Sequence, residues 1–479
     1  MFNISKNIGL SIATFISQMV SGSAIFVVFA RLMNLNDFGL ISFGTTLAGL
    51  IAVISEFGFS LMAQRDIPQE RYPFNRYIYN TILQKVVISF IALICGVLYL
   101  LILSQDDNLE IGLVFLIFAI LTSKVMFFGA VFRSKNKFQI ETFSAILYSS
   151  AITIVVVIYY FLEISVYSIA WGLSLARLIQ LIILLIYFNK EFGISDFKYD
   201  KTIQQYLFKN SFSFGLLYII GTFYFSIDSL FIAYYSDNNK LAIYQSFFKI
   251  ITLMLTINEL ISNVFLPYLA SLYVKNNNNF IHQSSEINKV VVSLGLIMFV
   301  FINLFAEDML RLLYGDKYLD ALIITVPLSL VLFFRIIASV YALILTITDN
   351  QSKRVLIVFI SLIINVGLNL VFIPKYNFVG AAYVSFITLF VLSSLYLFYG
   401  YRITGSTLLS RKTIILTLLT LSLVILKSLF DFKTTFFESL ILFSGWSFSF
   451  LYIFDKKQIK DYLDKTLKKT ILYGRYKPE

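Results

Sequence analysis

The residues of this chain that can do chemistry are ionisable side chains set inside long apolar runs: Glu56, Lys124, Arg177, Asp228, Lys249, Glu259 and Arg335. At the centre of a bilayer each would cost about 2.5–3.5 kcal/mol on insertion scales, so such groups face water or one another. Their signs divide the chemistry. Lys124, Arg177, Lys249 and Arg335 can neutralise an anionic substrate such as a phosphate or pyrophosphate head, forming a cationic lumen. Glu56, Asp228 and Glu259 can hold a coupling proton or sodium ion; equally, Asp228 and Glu259 can pair with Lys249 and Arg335. Polar stripes accompany the charges. Lys249, Thr252, Thr256, Glu259 and Asn263 recur at steps of three and four and share one helix face, as do Ser11, Thr14, Gln18 and Ser21, and likewise Arg335, Ser339 and Thr346. An apolar helix with one wet face lines an aqueous cavity or packs on another polar face.

The elements that position these groups are membrane helices. The chain of 479 residues is 58% hydrophobic and 14% charged, against about 25% charged in a typical soluble protein. Its apolar runs are much longer than the ~10-residue alternating strands of a transmembrane barrel, so the predicted fold is an all-α polytopic membrane protein of about 14 transmembrane helices. Segments 1–188 and 210–402 each read as six spans, joined by the polar linker 189–209 and followed by an additional helix pair at 411–454 and a basic tail at 455–479. Within the second half one continuous span is expected over 241–272, and 354–373 and 378–400 read as separate spans.

The halves repeat. The offset that brings Glu56 onto Glu259 also brings Ala30 onto Ala233 and Ile54 onto Ile257, setting ISEFGFS against INELISN. Six spans per half give both the same orientation. A pseudo-two-fold axis then runs along the membrane normal, with a central cavity between the halves.

The net charge of +11 does not point to nucleic acid, because it is distributed by loop. Arg65/Arg71/Arg76, Arg133/Lys135/Lys137, Lys190/Lys198/Lys201/Lys209, Arg411/Lys412 and the tail all fall on one side of the bundle. By the positive-inside rule that side is cytoplasmic, and both termini lie there. The tail has the pattern of a basic amphipathic helix on the inner leaflet. The first apolar run is too long for a signal peptide. Pro267 and Pro327, inside spans, are expected to kink them. The lone Cys95 and lone His282 leave no disulfide framework and no Cys/His metal site. No Walker motif, H-E-x-x-H or nucleophile elbow is present, so a transporter is expected rather than an enzyme, with no cofactor beyond a coupling H+ or Na+.

Five short motifs carry a resemblance. They are Ala30-Arg31 with Asp37-Phe38-Gly39; Phe57-Gly58; Ile227-Asp228 with Tyr244; Leu313-Tyr314-Gly315 with Tyr318 and Ala321; and Ile373-Pro374 with Gly380-Ala381-Ala382. In this order, at these span boundaries, they resemble the polysaccharide and O-antigen repeat-unit flippases of the multidrug/oligosaccharidyl-lipid/polysaccharide exporter superfamily. Met33-Asn34 and Ala242 depart from the family's usual Leu-Gly and glycine. The resemblance implies a flippase of the bacterial inner membrane. It would carry an undecaprenyl-pyrophosphate-linked oligosaccharide from the inner to the outer leaflet by alternating access, for surface polysaccharide and lipopolysaccharide O-antigen synthesis. Polysaccharide polymerase and chain-length machinery would be its partners. A cation-coupled drug antiporter of the same superfamily is the first rival. A membrane-embedded polymerase or ligase, which would need a large outward loop with catalytic Arg or His, is the second.

Overall fold

A computed structural model describes residues 14, 17, 22, 26–103, 106–162, 164–193, 198–275, 277–348, 350–405, 408, 417–420, 422, 438–444 and 446. Among these residues all regular structure is helical. Residues 26–32 are helical and lead into α1 (Leu35–Glu56), α2 (Phe59–Asp66), α3 (Phe74–Leu103), α4 (Asp106–Ser134), α5 (Phe138–Leu162) and α6 (Val166–Phe192). The second half comprises α7 (Lys201–Tyr235), α8 (Asn238–Leu255), α9 (Ile257–Lys275), α10 (Asn277–Leu313), a 3-10 stretch (Asp316–Ile324), α11 (Thr325–Ile347) and α12 (Gln351–Thr404). Ser11, Gln18, Ser21, most of the 411–454 pair and the 455–479 tail lie outside the described residues.

Eight helical stretches among the described residues are long and apolar enough to cross a membrane. Their outward faces are apolar too, with Val87 and Phe90 on α3, Phe161 and Leu162 on α5, and Ile186 on α6 all exposed. A water-soluble monomer rarely carries such contiguous apolar surface. In hydrocarbon it is the solvated side, while helical hydrogen bonding satisfies the backbone. The chain is an all-α polytopic membrane protein.

The two halves begin their second helices alike. Asn34 caps α1 by accepting the Asp37 N–H at 2.8 Å, and Asp237 caps α8 by accepting the Lys240 N–H at 2.8 Å. These caps stand at the offset that relates Glu56 to Glu259. Both helices are also followed by a break. After α1, Phe57 (φ 46°) and Gly58 (φ 80°) are left-handed. After α8, the turn comes at Thr256. The continuous span expected over 241–272 is therefore two helices. The Thr252 and Thr256 hydroxyls turn back onto the Lys249 and Leu253 carbonyls at 3.0 and 2.7 Å, which competes with the helical ladder. The break does not fall at Pro267, since α9 runs through that position as helix. Nor does Pro327 kink α11. It sits in the first turn of α11, where a helix tolerates proline best.

α12, of 54 residues, would extend roughly 80 Å if straight, well beyond a ~30 Å hydrocarbon core. It folds back at Asn377 (φ 52°, ψ −138°), just past Pro374. Gly380 packs so tightly into the reversal that a Cβ there would lie 2.6 Å from the Phe372 carbonyl oxygen. Asn369 and Ser385, equally distant in sequence from Asn377, consequently reach the same carboxylate, that of Asp228. The spans expected at 354–373 and 378–400 are the two arms.

The halves meet where α1 crosses α8. A Cβ built on Gly39 would lie 2.0 Å from the Asn238 carbonyl oxygen, whereas one on Gly49, lower on the same helix, meets nothing within 4 Å. Gly39→Ala is expected to lower the melting temperature of the detergent-solubilised protein by the equivalent of about 1–3 kcal/mol of overpacking. Gly49→Ala should be near neutral. Equal melting temperatures for the two variants would place the crossing elsewhere.

Candidate functional site

Below that crossing the halves separate around a cavity of about 240 Å³. Phe26, Thr45, Thr46 and Gly49 line it from the first half, and Ser226, Ser229, Gln245, Lys249 and Thr252 from the second. The Gln245 amide bridges the halves, donating to Ser229 Oγ at 2.7 Å and Thr46 Oγ1 at 3.3 Å. The half-buried Lys249 ammonium stands 5.0 Å from the centroid of the Phe26 ring. It has no hydrogen-bond or ion-pair partner among the described residues. It is a cation held on the wall of a space between two halves, with three donors to offer.

One end of this space is sealed by side chains of one half bonding to the main chain of the other. The Arg31 guanidinium donates to the Leu313 carbonyl at 2.9 Å, to the Arg311 carbonyl at 3.3 Å and to the Leu312 carbonyl. These are the last carbonyls of α10, where the helix dipole favours a cation. In return Lys317 donates to the Arg31 carbonyl at 3.2 Å and to that of Met33, and the Tyr318 hydroxyl donates to the Ala30 carbonyl at 2.9 Å. The Phe38 ring meets Tyr318 edge-on at 5.7 Å.

At the other end α7 crosses between the halves. Its leading segment bonds to the first half: Asn80 donates to the Lys198 carbonyl at 2.9 Å, Gln84 to the Gln204 carbonyl at 2.7 Å, and Tyr206 to Asp66 at 3.1 Å. Its later turns carry Asp228 into the second half. Asp228 is 2% exposed. Its carboxylate accepts from Asn369 Nδ2 at 2.6 Å, from the Ser385 hydroxyl and from the Tyr244 hydroxyl at 3.4 Å. Asn369 Nδ2 also donates to Asn365 Oδ1 at 2.9 Å, while Asn369 Oδ1 is buried without a partner. A void of about 10 Å³ adjoins this cluster. Asp228 pairs with neither Lys249 nor Arg335, and every partner it has among the described residues is neutral.

The other charges are disposed differently. Glu56 forms a buried ion pair with Lys85 at 2.5 Å, with exposures of 1% and 4%. Lys85 also donates to Ser123 Oγ at 2.9 Å, and Glu56 Oε1 accepts the Ser60 N–H at 2.6 Å, which fixes the start of α2 across the Phe57-Gly58 break. Lys85 was not among the expected site residues, although a lysine inside the apolar run of the third span is a visible signal. Arg177 lies within the first half, stacked 3.6 Å from the Tyr148 ring centroid and 5.2 Å from that of Phe118, and donates to Gln180 at 2.8 Å. Arg335 lies beside Tyr224 and Tyr396. Lys124 is half-buried on α4 without a hydrogen-bond or ion-pair partner among the described residues. Thr14 bonds Thr142 at 2.8 Å, and Ser339 turns onto the Ile336 carbonyl at 2.7 Å. The side chains of Glu259 and Asn263 lie outside those described. Of the sequence-expected residues, the cavity brings together Lys249 and Thr252. Asn365, Asn369 and Ser385 were missed; a pair of asparagines four apart in an apolar run was their only sequence signal.

The polysaccharide biosynthesis protein family matches the sequence over residues 4–273. No curated protein sequence matches the chain. Among solved structures, the lipid II flippase MurJ in an inward closed conformation is similar with a TM-score of 0.74 at 16% identity, covering 94% of this chain and 100% of that one. An inward-facing multidrug resistance MATE family transporter of the MOP superfamily gives 0.66 at 15% identity, with 81% and 94% covered. A MOP superfamily transporter from Pyrococcus furiosus gives 0.55 at 16% identity, with 84% and 96% covered.

The Glu56–Lys85 pair gives a stability test. Lys85→Met should destabilise the protein by about 3–5 kcal/mol, because it strands a buried carboxylate. Adding Glu56→Gln should recover most of that loss in denaturant or thermal melts. A double variant as unstable as Lys85→Met alone would mean that the two charges do not interact.

Proposed function

The chain belongs to the polysaccharide biosynthesis protein family, and from that membership we propose that it is a flippase for an undecaprenyl-pyrophosphate-linked oligosaccharide repeat unit. The reading is carried by Lys249, a cation without an ion-pair partner among the described residues, on the wall of a cavity that both halves build. A pyrophosphate head supplies the missing charge, and the hydroxyl- and amide-bearing neighbours Thr45, Thr46, Ser229, Gln245 and Thr252 suit sugar hydroxyls. The similarity in fold to a protein named a lipid II flippase supports the same class of cargo.

With the basic loops in the cytoplasm of a bacterial inner membrane, the Arg31–Lys317–Tyr318 seal faces outward and the cavity is reached from inside. Substrate enters there from the inner leaflet. Release requires the seal to part and the halves to close on the opposite side, which is alternating access. Polysaccharide polymerase and chain-length machinery then receive the unit. A multidrug resistance transporter shares the fold, but a cation at the cavity wall disfavours cationic drugs and favours an anion.

The coupling site in this reading is Asp228. A carboxylate, an unpartnered amide oxygen of Asn369 and hydroxyl oxygens converge there beside a void about one water in size. Oxygen donors around a small void suit a bare Na+ ion or a proton.

Lys249→Ala should reduce surface-glycan export at least tenfold, a loss of about 1.4 kcal/mol of binding or more, with normal amounts of protein in the membrane. Wild-type export would remove Lys249 from the substrate path. Asp228→Asn should make transport in vesicles indifferent to imposed sodium and pH gradients. A variant that still responds to either gradient would assign the cluster to packing.

A further inference from the structure

A second cavity, of about 440 Å³, lies where α2 turns into α3, and no residue lines both it and the Lys249 cavity. Its walls include Arg71, Tyr72, Phe74, Tyr77 and Lys135. The charges around it are unevenly matched. Arg65 pairs with Asp66 at 2.7 Å, Lys137 with Glu191 at 2.7 Å, and Arg133 with Glu141. Asp66 is 2% exposed and fully engaged, since Tyr77 and Tyr206 also donate to it at 3.2 and 3.1 Å. Arg71 and Lys135 instead have only aromatic partners among the described residues. Arg71 donates one N–H to the Tyr206 hydroxyl, with its guanidinium carbon 5.1 Å from that ring's centroid. Lys135 Nζ lies 4.8 Å from the Phe74 centroid. Glu70, also on the wall, is exposed and forms no ion pair with either.

The arrangement is specific in its chemistry. Tyr206 is itself fixed by Asp66, so it holds one corner of the Arg71 fork and leaves four of its five N–H donors unused. Glu70, in a left-handed conformation at φ 50°, sets the turn that delivers Arg71 to this position. Lys135 arrives from the end of α4 as a separate point charge. A planar fork and an ammonium on one cavity are the donors that chelate a tetrahedral oxyanion. Tyr72, Phe74 and Tyr77 offer apolar and aromatic surface to whatever the anion is attached to.

We propose that this cavity binds a phosphoryl anion with an organic flank, held between Arg71 and Lys135 and independent of the Lys249 cavity. Two sources present that chemistry: the headgroup of an anionic phospholipid, and a soluble phosphate compound. The test uses the full chain purified in detergent. Phosphatidylglycerol binding is counted by native mass spectrometry against phosphatidylcholine, and pyrophosphate binding is measured by calorimetry. Arg71→Gln combined with Lys135→Gln should weaken whichever probe binds at least tenfold without lowering the melting temperature. Lys137→Gln, at the same end but paired with Glu191, should have no effect. Arg71→Lys, which keeps the charge and loses the fork, should give an intermediate loss and is the fallback if the double variant is unstable. Loss of phosphatidylglycerol binding alone in the double variant assigns a lipid headgroup; loss of pyrophosphate binding alone assigns a soluble phosphate. Wild-type protein that prefers neither, or an Arg71 variant that binds as the wild type does, overturns the proposal.

Discussion

A charge carried into hydrocarbon must be matched, and the bundle is arranged around the different ways it meets that demand. Glu56 meets it with Lys85, a pair so buried that it serves to fix the α1–α2 break. Arg177 meets it with the faces of Tyr148 and Phe118 and the Gln180 amide. Asp228 meets it with neutral donors from both arms of the folded α12. Among the described residues Lys249 has only a ring and a cavity. Among the described residues, charges in similar apolar runs thus divide into those the fold has already satisfied and those, Lys124 and Lys249, that no hydrogen bond or ion pair matches.

That division sets the limit of what the sequence disclosed. The long apolar helices and the charges inside them are legible in hydropathy and spacing, and caps such as Asn34 and Asp237 are local enough to read. Pairing is not local. The partner of Glu56 comes from α3, and nothing in either segment fixes the rotation that brings Lys85 beneath it. The Asp228 cluster needs a reversal at Asn377 before Asn369 and Ser385 become neighbours. The polar stripe expected from Lys249 to Asn263 is described as far as Thr256; the side chains of Glu259 and Asn263 lie outside those described. A helical wheel assumes an unbroken helix, and α8 ends in a turn at Thr256 before α9 begins.

The five short motifs acquire physical content once placed. Ala30-Arg31, Asp37-Phe38-Gly39 and Leu313-Tyr314-Gly315 with Tyr318 converge on the seal. Ile227-Asp228, Tyr244 and the Ile373-Pro374 to Gly380 turn converge on the buried carboxylate. Phe57-Gly58 marks the break that Glu56 stabilises. Residues far apart in the chain therefore serve two compact assemblies, one between the halves and one inside the second.

The seal is made almost wholly of side chains addressing carbonyl oxygens. Arg31 reads the backbone at positions 311 to 313, and Lys317 and Tyr318 read it at positions 30, 31 and 33. Every residue type supplies a carbonyl, so the amino acids at the receiving positions can drift without weakening the closure. What cannot drift is helix length. One residue inserted or deleted near the end of α10 would swing its terminal carbonyls by about 100°, and Arg31 would find none of them. The closure is thus insulated from substitution and exposed to insertion and deletion.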